Sequence, residues 1–179
     1  MLTTMRANRP VQIAAAIVLV GAAAFGWWTI SPFFLTTTVH EDLPVRASAT
    51  PAATTATTAP VTSAPQVGPK VVARGELQRV DDVHKGMGPV QLVDVDGKLF
   101  VRFENVAIQN GPDLHVYLAR GMGGQYDMTK DLYLGALKAT NGSFNYDVPA
   151  GTDVATYRSV VVWCRAFSVL VTWADLKFG

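Results

Sequence analysis

Three side chains in the C-terminal part of this chain could carry redox or metal chemistry: Cys164, His84 and His115. A thiolate and two imidazoles are ligands for transition metals and for haem iron. A thiolate alone is the nucleophile of thiol–disulfide exchange. The spacing gives no metal signature, since there is no C-x-x-C, no H-x-x-x-H and no C-x-x-C-H. Cys164 is the only cysteine, so it closes no internal disulfide. Four roles stay open for it: an inert buried thiol, a redox-active thiol, a ligand, or half of an intermolecular bridge.

The elements that must position these groups are strands. Cys164 lies in Ser159-Val-Val-Val-Trp-Cys-Arg-Ala-Phe-Ser-Val-Leu-Val171. The side-chain period of two puts Val160, Val162 and Cys164 on one face and Val161, Trp163 and Arg165 on the other. Both faces are apolar up to Arg165, which predicts a central strand covered on both sides. Cysteine is among the most buried residue types, so core filling is the plain reading of Cys164. A working thiol must instead reach solvent at a strand end, and the expectation is a partly accessible Cys164 at the rim with His84 as its neighbour. His84 sits in the turn-like Asp81-Asp-Val-His-Lys-Gly-Met-Gly88. His115 alternates with Leu114 and Val116 and reads as a surface or cross-strand residue.

The compartment sharpens the cysteine question. Val11 to Ile30 is nearly all apolar, with Arg6 and Arg9 before it and Glu41 and Asp42 after it. Twenty residues at about 1.5 Å each span roughly 30 Å, a bilayer's hydrocarbon thickness. The flanking charges place residues 1–9 in the cytoplasm, residues 10–35 across the cell membrane as a single pass, and the remainder outside. A cleaved signal peptide with an apolar stretch at Ile13–Val20 and a site at Ala22–Ala24 is the alternative, but the apolar run continues through Trp27, Trp28 and Phe33–Leu35. Exported proteins normally use cysteines in pairs, so a single one stands out.

Residues 36–69 read as an extracytoplasmic linker, most clearly at Ala47–Pro69. There 19 of 23 residues are Ala, Thr, Pro or Ser and none is charged. Such a segment buries too little to offset its ordering entropy, so a disordered stalk is expected. Residues 70–179 then form one domain with twelve basic and twelve acidic side chains. With no basic stripe, nucleic acid is disfavoured.

Alternating runs at Val90–Val95, Lys98–Phe103, Leu114–Leu118, Leu134–Thr140, Ser143–Val148, Ser159–Cys164 and Phe167–Trp173 predict an all-β, antiparallel sandwich. Asp96-Gly97 and Asn141-Gly142 are two-residue hairpin signals. The Asn141-Gly-Ser143 sequon carries little weight because the hairpin already explains it. Arg120–Asp127 reads as a mobile, solvent-exposed loop. No Ser–His–Asp order, phosphate loop or carboxylate pair supports a hydrolase or transferase.

Gly111-Pro-Asp-Leu-His-Val-Tyr-Leu118, Leu134-Gly-Ala-Leu-Lys138, Gly142-Ser-Phe-Asn-Tyr146 and Tyr157-Arg-Ser-Val-Val-Val-Trp-Cys-Arg-Ala-Phe-Ser-Val-Leu170 occur in this order. Together they resemble the electron-transfer DM-thirteen domain, an extracellular module often found beside DOMON domains. The resemblance spans roughly residues 73–177. It implies a β-sandwich and a redox role for the cysteine matching Cys164, as a bare thiol or as a holder of a prosthetic group such as haem, with His84 the companion candidate. This chain has no second redox domain, so the resemblance implies a separate electron donor or acceptor. A non-catalytic envelope binding or structural module, with Cys164 buried, is the other reading.

Overall fold

The computed structural model describes residues 9–30, 36–44 and 68–179. Most of the Ala/Thr/Pro-rich linker lies outside the described residues, as do Arg6, Phe33 and Phe34. One helix, α1 (Arg9–Ile30), comes first. Within it Pro10–Trp28 is long and apolar enough to cross a membrane, with none of that window buried. Its apolar side chains run all round the helix and not along one stripe.

Twelve strands follow among the described residues. One sheet contains β1 (Thr38–His40), β9 (Asn141–Asp147), β6 (Lys98–Ile108), β5 (Pro89–Val95), β2 (Lys70–Glu76) and β12 (Lys177–Phe178), in that spatial order. The short β4 (Gly86–Met87) pairs with the far end of β6. The other sheet runs β3 (Gln78–Arg79), β11 (Val169–Asp175), β10 (Ser159–Cys164), β7 (Leu114–Ala119) and β8 (Leu132–Ala136). All ladders are antiparallel except β1·β9.

The two sheets enclose one core. Phe103 and Phe144 stack at 5.0 Å between centroids, and Val160 and Val162 of β10 join the same buried cluster from the opposite sheet. The Tyr146 hydroxyl ties the layers together: it donates to the Ala136 carbonyl at 3.0 Å and accepts from the Lys138 N–H at 2.8 Å. Burial pushes the Tyr146 phenol well above its ordinary pKa.

The Asp96-Gly97 turn forms as its residue types require, with φ of 54° and 83°. The second hairpin does not form. Asn141 and Gly142 lie inside β9, and β8 and β9 belong to different sheets. Gly142 is needed there for another reason: its φ is 104°, and a Cβ would strike the Val39 carbonyl of β1. An Asn-Gly pair supplies positive φ equally to a turn and to an irregular strand crowded by a neighbour's backbone.

β1 itself falls within residues 36–69, where only linker is expected. It pairs in parallel with β9, and Val39 packs against the core. Glu41 then accepts from the Lys138 ammonium at 2.8 Å and from the Asn145 N–H at 2.9 Å, and its carbonyl accepts from Arg102. Burial opposes ionisation of Glu41, but the Lys138 and Asn145 hydrogen bonds outweigh it and lower its pKa. A three-residue strand in a polar context has too short a period to be legible.

Candidate functional site

β10 is the middle strand of its sheet, flanked by β7 and β11. Its two faces match the period-two reading. Val160, Val162 and Cys164 enter the main core, while Val161 and Trp163 join a smaller cluster on the outer face with Tyr117, Ala119, Tyr126, Met128, Leu170 and Trp173. Trp163 is only half-buried there.

Cys164 ends β10, directly before the turn at residues 165–168. Its register partners are Leu114 on β7 and Val169 on β11. The side chain is 2% exposed. This corrects the expectation of a partly accessible thiol at the rim: the position is at a strand end, level with the first residues of β7 and β11, but the side chain faces inward and joins the buried core cluster between the sheets. A cleft of about 230 Å³ opens at this end of the sandwich, lined by Gly111, Pro112, Asp113, Leu114 and Leu137 among others. Leu114 lines the cleft; Cys164, on the same face one strand away, does not.

His84 lies in the loop between β3 and β4. Its Nδ1 is 2.8 Å from an Asp81 carboxylate oxygen, and its N–H donates to the other oxygen of Asp81 at 2.6 Å. These bonds, the imidazole's first, hold the Asp81 carboxyl down to about 2. Among the described residues no hydrogen bond, ring contact or ion pair joins His84 to Cys164, and no group of three or more His, Cys, Asp or Glu side chains could hold a metal. Nor do these residues fit a haem held by Cys164. The cleft beside the thiol's neighbour is smaller than the roughly 300–1,000 Å³ of ordinary small-molecule sites, and two larger clefts among the described residues, of about 840 and 520 Å³, are lined by neither Cys164 nor His84.

His115 is where sequence reasoning fell short. It is buried at 8% exposure and bonded at both ring nitrogens. Nε2 is 2.6 Å from Asp113 Oδ1, and Nδ1 is 3.0 Å from the Tyr133 hydroxyl. Tyr133 on β8 packs against His115 and Tyr117, with centroids 5.5 and 5.3 Å away. Arg165, just after Cys164, lies over the Tyr133 ring at 4.3 Å and donates to the Tyr117 hydroxyl at 2.7 Å. That bond raises the guanidinium's pKa further. The Asp-x-His spacing on one strand face was readable; Tyr133 was not, because it arrives through β7·β8 pairing.

The loop after β7 is also more tied down than its glycines suggest. The Gly123 N–H donates to the Asp175 carboxylate at 3.2 Å, and Ser159 Oγ donates to the same group at 2.6 Å. Tyr126 is partly buried against the outer cluster, and burial pushes its phenol up to about 12.

No curated protein and no solved structure matches the chain. The profile of the family described as Electron transfer DM13 matches residues 77–176, which runs from just before β3 to the end of the last long strand and holds Cys164, His84 and the His115 cluster. That match covers more than half of the chain, and the chain belongs to the DM13 electron-transfer family.

Proposed function

We propose that this protein is a membrane-anchored, extracytoplasmic electron-transfer module whose redox residue is Cys164. Family membership carries the electron-transfer class. The apolar helix supplies the anchor. Arg6 and Arg9 before it, against Glu41 and Asp42 after it, favour a cytoplasmic N-terminus and an external domain.

A single thiol works with a separate protein. The Cys164 thiolate attacks a partner's disulfide, a new S–S bond forms between Cys164 Sγ and one partner sulfur, and the other partner sulfur leaves as a thiolate. The observation supporting this is the position of Cys164: last in its strand and one side chain behind Leu114, which lines an open cleft. Displacing Leu114 and the 165–168 turn is the local opening that attack requires.

The second reading is a non-catalytic envelope binding or structural module in which Cys164 fills the core. The 2% exposure favours it. The two readings part on thiol reactivity. Full-length protein in detergent is incubated with a glutathione disulfide buffer, and the mixed disulfide at Cys164 is measured by mass. Formation without denaturant supports the redox module. A thiol that reacts only after unfolding supports core filling.

A further inference from the structure

The outer face of the β7–β8 edge holds a second arrangement with redox chemistry, independent of the thiol. The Tyr133 hydroxyl lies 3.0 Å from His115 Nδ1, and His115 Nε2 lies 2.6 Å from Asp113 Oδ1. A carboxylate accepts only, so Nε2 carries the ring proton and donates to Asp113. Neutral imidazole then has its lone pair at Nδ1, aimed at the phenol. A carboxylate fixing a histidine tautomer so that the other nitrogen can take a proton is a recurrent device in acid–base sites. Here the group poised to give up its proton is a tyrosine.

We propose that Tyr133 is a one-electron redox residue whose oxidation is coupled to proton transfer to His115. The reading rests on the electron-transfer class of the domain but not on Cys164. In the step, one electron leaves the Tyr133 ring for a high-potential, metal-centred oxidant docked on β8. The phenolic proton moves to His115 Nδ1, leaving a neutral phenoxyl radical and an imidazolium paired with Asp113. Return of the electron from a donor sends the proton back.

Three features suit this step. Tyr133 is 44% exposed on the edge strand, so an electron acceptor reaches it without opening the fold. His115 is buried and both its ring nitrogens are already partnered, Nδ1 by the Tyr133 hydroxyl itself, so the phenol is the proton donor at hand. Arg165 sits 4.3 Å over the Tyr133 ring. A cation there opposes positive charge on the ring, so the electron cannot leave ahead of the proton without penalty. The charged and titratable groups bonded or stacked at this cluster are thus Asp113 before β7, His115 and Tyr117 on β7, Tyr133 on β8, and Arg165 after β10. The other tyrosines of the domain are less exposed, with Tyr117 and Tyr146 at 4% and Tyr157 at 8%.

The test uses the full chain in detergent with photogenerated tris(bipyridine)ruthenium(III) as the oxidant, followed by transient absorption and electron paramagnetic resonance of the phenoxyl radical. Wild type is expected to form the radical with a slower rate in heavy water. Tyr133→Phe should lose the signal. His115→Gln, which cannot accept the proton as a base, should form it about a hundredfold more slowly, the contribution of a positioned base. Asp113→Asn gives a second route if His115→Gln does not fold, and should reduce both the rate and the isotope effect. A phenoxyl signal unchanged in Tyr133→Phe overturns the proposal. So does a rate and isotope effect unchanged in His115→Gln or Asp113→Asn. Cys164→Ser separates the two readings: a phenoxyl radical that forms in Cys164→Ser and is lost in Tyr133→Phe belongs to Tyr133 whatever the thiol does, and one that requires Cys164 but survives in Tyr133→Phe overturns the proposal.

Discussion

Leu114 and Cys164 are register partners across β7 and β10, and Leu114 lines an open cleft from which the thiol is excluded. Leu114 therefore stands, with the 165–168 turn, between this open end of the sandwich and the thiol. Leu114→Ala should raise the rate of native-state alkylation of Cys164 well above wild type. It should also lower stability by about 2–5 kcal/mol, the usual cost of a buried leucine truncation. An alkylation rate unchanged after correction for the stability loss would mean that the thiol is reached only by global unfolding.

The core between the sheets and the outer face of β10 should differ in their aromatic energetics. Phe144 is fully buried against Phe103, so Phe144→Ala should cost about 3–5 kcal/mol. Trp163 is half-buried on the outer face of β10, so Trp163→Ala should cost distinctly less. Chemical denaturation of the two variants checks the order, and equal losses would place Trp163 in the main core.

The packing of β1 on β9 makes a prediction about cleavage. A protease cut between residues 45 and 67 leaves β1 and Glu41 on the N-terminal fragment and β9 on the other. The fragments should remain associated in native conditions through the β1·β9 ladder and the Glu41–Lys138 pair. Gly142→Ala should weaken that association, because φ of 104° and the nearby Val39 carbonyl both resist a side chain, with about 1–3 kcal/mol of strain. Co-purification on an N-terminal tag reads this out. Immediate separation of wild-type fragments would mean that β1 contributes nothing to holding the domain.

The Asp81–His84 turn should respond to acid. The Asp81 carboxyl ordinarily titrates at 3.8 and is held down to about 2 in the folded protein. A depressed carboxyl stabilises the folded form above its ordinary pKa, and that contribution is lost as pH falls from 3.8 through about 2. Nuclear magnetic resonance titration of the Asp81 carboxyl should give a midpoint well below the ordinary value, rising towards it in His84→Ala. Identical midpoints in the two proteins would mean that the hydrogen bonds do not persist in solution.

Much of this was legible in sequence, for physical reasons that vary by element. The valine run of β10 declared a central strand because both of its faces are apolar. Asp96-Gly97 declared its hairpin because two consecutive positive φ angles strongly favour such residues. Asn141-Gly142 misled because the same residue types serve a crowded strand. β2 and β12 were missed because Lys70–Glu76 and Lys177–Phe178 show no clean alternation, and β1 was missed because three residues carry no period. The depth of Cys164 depends on which residues of the opposite sheet pack over the inner face of β10, which a strand's own period does not show. Asp113 and His115 shared a readable spacing, while their link to Tyr133 awaited the pairing of β8.

Whether Cys164 is a working redox group or core filling is decided by equilibrating the folded, full-length protein in glutathione buffers of graded potential, with the fraction of Cys164 in mixed disulfide read by mass. A redox-active Cys164 gives a reversible transition in wild type, reached faster in Leu114→Ala and absent in Cys164→Ser. A wild-type thiol that stays reduced across the whole range while the protein remains folded would show that Cys164 only fills the core.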